Sequence, residues 1–159
     1  MSGDLLRYKS VLLDTGPLLL YLVGFYNNKY LSKIDYTSQD YALLVDFLIS
    51  REIVVTPHVL AEASNLSKSR LKEANFSSFF MNSINILINS SEEYVEKDKI
   101  LKRSKEVAKF GITDTSLIEA STRGRGLLLV TSDARLFHYC SRNDIPIIHL
   151  DSLKNLIIR

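Results

Sequence analysis

Two apolar runs near the start of the chain, residues 11–13 and 18–23, are split by the tetrad Asp14-Thr15-Gly16-Pro17. Bounded runs this short read as a buried strand followed by the opening of a helix. Pro17 suits the first helical turn, where its missing N–H leaves no hydrogen bond unmade. Asp14 therefore stands at the carboxyl end of a strand, the edge at which open parallel α/β sheets bind ligands. A carboxylate in that place is either a helix cap or the first member of a site.

The same handover recurs downstream. The β-branched run 52–55 leads into Thr56-Pro57 and a helix through Leu66, and a further helix is expected from Phe76 to Asn89. Before them, residues 25–35 read as a loop or irregular helix, and Thr37 opens a helix carrying Tyr41, Leu44, Val45, Phe47 and Leu48. Tyr94-Val95 is short enough to be only an edge strand. Residues 97–110 read as an amphipathic helix ended by Gly111, and Thr113 is expected to cap the next one, to Gly124. Leu127–Thr131 is apolar on both faces, as central parallel strands are. Ser132 or Asp133 caps a helix to Asn143, residues 146–149 give a last strand, and Asp151 caps a closing helix. Strands and helices alternate without repeat or linker. The expectation is one domain over residues 1–159, an α/β fold of three layers (α/β/α) with a mostly parallel central sheet.

Bulk properties narrow the function classes. The 159 residues are 46% hydrophobic and 24% charged, ordinary for a globular chain, and the net charge of +2 does not by itself argue for nucleic acid. The single cysteine, Cys140, rules out an intrachain disulfide and a thiolate zinc cluster, and its apolar surroundings suggest a buried, inert thiol. No secretory signal or bilayer-length apolar run is visible, so a soluble protein of a reducing cytoplasm is expected. Basic residues gather between Lys97 and Lys109, with Arg123 and Arg125 following. Such a run is either a solvated helix face or a phosphate-attracting rim; on the second reading Lys102, Arg103, Arg123 and Arg125 are the candidate phosphate contacts.

Four acids fall at comparable points. Asp14 ends the first strand, and Asp133 follows the fourth within two residues. Glu62 lies in the second turn of the helix begun at Pro57, and Asp114 in the first turn after Gly111. Right-handed crossovers put strand-to-helix junctions on one side of a parallel sheet, so the four are expected to converge. Taken singly, each is an ordinary cap or first-turn residue. Together they repel, and a divalent cation removes that strain. Oxygen-only ligands favour Mg²⁺ or Mn²⁺, whereas His58, His138 and His149 are scattered and do not suggest zinc.

These contexts resemble the PIN-domain family of metal-dependent nucleases, in particular the VapC-like ribonuclease toxins. The matching pieces are Val11-Leu12-Leu13-Asp14-Thr15, Thr56-Pro57-His58-Val59-Leu60-Ala61-Glu62, Ile112-Thr113-Asp114-Thr115-Ser116-Leu117-Ile118 and Leu129-Val130-Thr131-Ser132-Asp133. The resemblance implies that Asp14, Glu62, Asp114 and Asp133 line a pocket for one or two Mg²⁺ or Mn²⁺ ions, with hydroxyl support from Thr15 and Thr131. Asp14 and Asp114 would be direct ligands, Glu62 a ligand or a water-orienting group, and Asp133 a ligand through water. It further implies an RNA substrate, a small separate antitoxin protein and a homodimer. The stretches 25–36 and 64–91 are longer than in the most compact toxins. The tyrosines of the first (Tyr26, Tyr30, Tyr36) either stack on unpaired bases or pack a longer helical arm. Competing readings are a housekeeping RNA-processing nuclease and a catalytically inert scaffold for protein interaction, although a scaffold has no reason to hold carboxylates together. A haloacid-dehalogenase-type phosphatase expects an acid where Gly16 stands.

Overall fold

The structure, a computed structural model, describes residues 2–123 and 126–157, with side chains for 4–123 and 126–156. A short helix α1 (Ser2–Leu5) precedes strand β1 (Ser10–Leu13). Helix α2 (Thr15–Tyr26), a 3-10 segment (Asn28–Ile34) and α3 (Ser38–Leu48) lead to β2 (Glu52–Val55). The long α4 (Pro57–Asn89), β3 (Ser91–Glu92), α5 (Lys97–Lys102) and α6 (Ser104–Ser121) follow. The chain closes with β4 (Leu127–Thr131), α7 (Ala134–Arg142), β5 (Ile147–His149), a 3-10 turn (Leu150–Ser152) and α8 (Leu153–Ile157).

The five strands form one sheet, all parallel, in the order β3-β2-β1-β4-β5. This is the three-layer α/β/α architecture that the alternating elements anticipate. Successive strands run outward from β1 to β3, then the chain crosses to β4 on the other side of β1. Right-handed crossovers therefore put α2 to α4 on one face and α5 to α7 on the other. The packing agrees: α2 lies against α3 and α4, and α6 against α5 and α7. Val11, Leu12 and Leu13 of β1 and Leu128, Leu129 and Val130 of β4 have no exposed surface, because helices cover both faces of the central strands. Among the described residues no helix is long and apolar enough to cross a membrane.

Several local expectations are corrected. Helix α2 starts at Thr15, so Pro17 is its third residue, in the first turn as expected, and the helix runs on to Tyr26. The edge strand is Ser91–Glu92, not Tyr94-Val95: the chain pairs with Val54 and Val55 as soon as it leaves α4, and the Glu93 N–H closes the ladder on the Val55 carbonyl at 2.9 Å. The expected helix over 97–110 is two, parted at Arg103 (φ −86°, ψ 54°). The break expected at Gly111 is there, its φ of 86° a conformation that suits glycine and strains other residues, but Thr113 lies within α6 rather than capping a new helix. The two helices expected between Pro57 and Asn89 run together as α4, interrupted at Lys72 (φ 63°). Near the end, the His149 ring rather than Asp151 caps the turn, accepting the Asp151 N–H at 3.1 Å.

Candidate active site

The sheet order places the junction after β1 beside the junction after β4, which is the switch point where the strand order reverses. Asp14 occupies the first of these junctions, and its main-chain N–H bonds the Val130 carbonyl at 3.0 Å. Its side chain caps α2, with Oδ1 accepting the Thr15 N–H at 2.7 Å. Oδ2 accepts the Thr131 hydroxyl, also at 2.7 Å, from the neighbouring strand. The same Thr131 oxygen accepts the Asp133 N–H at 3.0 Å. Thr131 thus fixes two of the four acids at once. Asp133 in turn caps α7, Oδ1 accepting the Arg135 and Leu136 N–H groups at 2.8 and 3.2 Å.

The remaining acids come from the helices that meet at this edge. Asp114 lies one turn past Gly111, where the Thr115 and Ser116 hydroxyls donate to the Gly111 and Thr113 carbonyls at 2.7 and 2.6 Å. Ser116 Oγ also lies 3.4 Å from Thr56 Oγ1, the cap of α4, tying α6 to the helix that carries Glu62. Glu62 is exposed, one turn beyond His58.

Electrostatics show that the four acids share one neighbourhood. Asp14 is 7% exposed. Its burial raises the carboxyl above the ordinary range; the bonds from Thr131 and Thr15 pull it back, and the charges of Glu62 and Asp133 push it up again. Asp114 is raised further, to about 7, by burial first and then by Asp14, Asp133 and Glu62, with Arg135 opposing. Behind them Cys140 is fully buried, and its thiol is pushed up to about 12 by burial and by the charges of Asp114 and Asp14. It is an inert core thiol.

Whether these residues fit a divalent cation can be tested on the groups themselves. The donor set is all oxygen, its charges repel, and the Thr15 hydroxyl, buried beside Asp14, meets no hydrogen-bond partner among the described residues. A hard cation answers all three. Among the described residues, no three His, Cys, Asp or Glu side chains are already drawn together as a finished ligand set. One oxygen each of Asp14 and Asp133, Oδ1 in both, is directed to its helix cap.

Gly16 is required for close approach. A Cβ there would lie 2.5 Å from Ser132 Oγ and 2.8 Å from the Tyr36 hydroxyl, which donates to Ser132 Oγ at 2.9 Å. Tyr36 thus hooks the end of the 25–36 stretch onto the switch point. The other two tyrosines pack: Tyr26 stacks on Tyr30 with centroids 5.9 Å apart and meets Phe79 edge-on, and the Tyr30 hydroxyl donates to Asn75 at 3.3 Å.

The proposed basic rim divides. Arg103 pairs with Glu119 and donates to Thr122 at 3.1 Å; Arg123 pairs with Glu96 at 2.7 Å and Glu93 at 3.4 Å. Both guanidiniums brace helices and a loop, whereas Lys102 is exposed and Arg125 lies outside the described residues. Sequence reasoning passed over Arg135, the cation that acts on Asp114. Its guanidinium sits 5.8 Å from the Phe110 ring, which Lys109 covers at 5.1 Å. The available signal was position, two residues beyond Asp133.

Fold and site together define a parallel α/β protein with a carboxylate cluster at its switch point. Compared with known families and curated proteins, the chain matches no family model and no curated protein.

Proposed function

We propose that the chain is a metal-dependent endoribonuclease of the PIN-domain kind that hydrolyses RNA phosphodiester bonds, and that it is the toxin of a VapBC-type toxin–antitoxin pair. The observation that carries the reading is the meeting of Asp14, Glu62, Asp114 and Asp133, from four separate segments, in one mutually repelling group. Capping accounts for Asp14 and Asp133 singly but not for the mutual repulsion of the four, which an Mg²⁺ or Mn²⁺ ion relieves. When bound, such an ion activates water and stabilises charge at phosphorus.

The protein's own groups have separable tasks in this reading. Asp14 and Asp114 are the direct ligands, and Thr131 keeps Asp14 oriented by donating to its outer oxygen. Glu62, exposed at the mouth, orients the attacking water or completes the ligand set, and Asp133 acts through water. Arg135, which acts on Asp114, and Lys109, which shares the Phe110 ring with it, offer the positive charge that guides a phosphate backbone toward an otherwise negative site. A small antitoxin and a second copy of the chain are the partners this reading carries, and the cytoplasm is the compartment.

The test is cleavage of single-stranded RNA by purified protein with Mn²⁺ or Mg²⁺. Cleavage should stop in a chelator and in Asp14→Asn, whose asparagine still caps α2 and leaves the circular dichroism unchanged. Activity retained in both Asp14→Asn and Asp114→Asn rejects the site. Expression separates the biological roles: a toxin arrests growth until a neighbouring small gene product is supplied, and a housekeeping nuclease does not.

A further inference from the structure

β5 ends beside the switch point, where its last residue, His149, pairs in register with Thr131 of β4. The imidazole is 17% exposed, and the Phe137 ring meets it edge-on with centroids 5.9 Å apart. Both nitrogens have main-chain partners: Nδ1 lies 3.1 Å from the Asp151 nitrogen, and Nε2 3.1 Å from the Ser132 carbonyl oxygen. An N–H only donates and a carbonyl only accepts, so Nδ1 is bare and Nε2 carries the proton. The Asp151 carboxylate, 3.6 Å from Nδ1, faces solvent.

The bond to Ser132 opens a path into the site. The Ser132 carbonyl and the Asp133 N–H are the two ends of one peptide unit. His149 holds the first end, and Thr131 Oγ1 accepts from the second at 3.0 Å. The Thr131 hydroxyl then donates to Asp14 Oδ2 at 2.7 Å, so every donor on the path points toward Asp14. With one lone pair occupied by the Asp133 N–H, the Thr131 hydroxyl keeps its proton turned to Asp14, and bonds aligned head to tail polarise one another. Tyr36 holds the same Ser132 by its side chain, donating to Oγ at 2.9 Å. We propose that His149 is a positioning residue of the metal site: through the Ser132–Asp133 peptide and Thr131 it orients Asp14 and fixes the backbone of Asp133. The inference rests on the metal-dependent reading above. A ring that served only to cap the turn after β5 would use Nδ1 alone; the Nε2 proton is committed to the turn that carries Asp133.

The first test needs no substitution. With ¹⁵N-labelled histidine near pH 8, where an ordinary imidazole is neutral, His149 should give the signals of an Nε2-protonated ring. An Nδ1-protonated ring overturns the inference, and this measurement decides where a variant does not fold. Two substitutions then divide the ring's bonds. His149→Gln keeps a donor at the place of Nε2, whereas His149→Asn keeps only an acceptor at the place of Nδ1. By calorimetry, His149→Asn should weaken Mn²⁺ binding about tenfold, with RNA cleavage at limiting Mn²⁺ falling in proportion, and His149→Gln should stay within about threefold of the unsubstituted protein. The reverse order, equal losses, or no loss in either overturns the inference, because a ring that only caps or packs gives one of these. An unsubstituted protein that binds no Mn²⁺ overturns it as well. Failure of the nuclease reading alone looks different: Mn²⁺ binds and the two variants fall in the stated order while no RNA is cut.

Discussion

Two regions of the molecule each gather four carboxylates and treat them in opposite ways. At the α5–α6 corner, Glu93, Glu96, Glu106 and Glu119 are met by the guanidiniums of Arg103 and Arg123. Glu106 is held below its ordinary range by the Tyr139 phenol, which donates to it at 2.7 Å, with Arg103 adding to the effect. At the switch point, burial and neighbouring acids push up Asp14 (Glu62 and Asp133) and Asp114 (Asp14, Asp133 and Glu62), and Arg135 opposes at Asp114 only weakly, behind all three acids. The number of acids is the same; the matching of charge is not. A neutralised cluster is explained by the packing it braces. An unmatched one costs stability, and its retention at a ligand-binding edge points to chemistry.

The largest test of that contrast is catalytic. Asp14→Asn or Asp114→Asn should lower kcat/KM for RNA by about 10²–10³-fold or more, the scale at which one preorganised charged group counts. Glu119→Gln, in the matched cluster, should leave it within about twofold. Equal losses in both clusters would erase the distinction. Next comes Thr131→Val, which removes the donor to Asp14 and the acceptor for Asp133 while keeping the β-branched shape. Mn²⁺ affinity, read by calorimetry, should fall about 10–100-fold, as for other groups that orient a ligand.

Arg103→Ala inverts the expectation. It removes one of the partners of Glu119 and one of those of Glu106, and should cost about 2 kcal/mol, the scale of a hydrogen bond to a charged group. That corresponds to a Tm lower by about 4–8 °C, with cleavage per folded molecule unchanged. A loss of RNA affinity with a shallower salt dependence would instead return Arg103 to the phosphate rim.

Legibility in the sequence followed the range of the forces involved. β1 and β4 are plain in the chain because burial on both faces demands unbroken aliphatic runs, and the acids at their ends inherit that clarity. Asp133 was visible as a cap for the same local reason. β3 was misplaced because a strand of two residues leaves no period to read. The break at Arg103 was hidden because neither glycine nor proline marks it, and the side chain there is paired with Glu119, sixteen positions away, which no local pattern announces. The basic run was visible as charge, but not the acids that absorb it. His58 was legible only as one of three scattered histidines, because the burial of its Nδ1 is a fact of three-dimensional packing alone.

The subtlest consequence separates the two clusters by sign. Asp114 rises from an ordinary 3.8 to about 7, so between those values the folded chain holds a proton that the unfolded chain has released. Its stabilising contribution is complete below pH 4 and is lost as pH climbs through 7. Glu106, depressed, behaves oppositely: its contribution is present above its unfolded value and is lost on acidification. In chelator, the Tm of the unsubstituted protein minus that of Asp114→Asn should therefore fall between pH 4 and pH 8, by about 2–4 °C for each kcal/mol of crowding. The corresponding difference against Glu106→Gln should rise with pH from the acid side. Mn²⁺ must displace the Asp114 proton, so its affinity should climb over the same window in which the metal-free protein weakens. Parallel Tm profiles for the unsubstituted protein and Asp114→Asn would mean that the acids do not crowd one another, and the contrast between the two clusters would collapse.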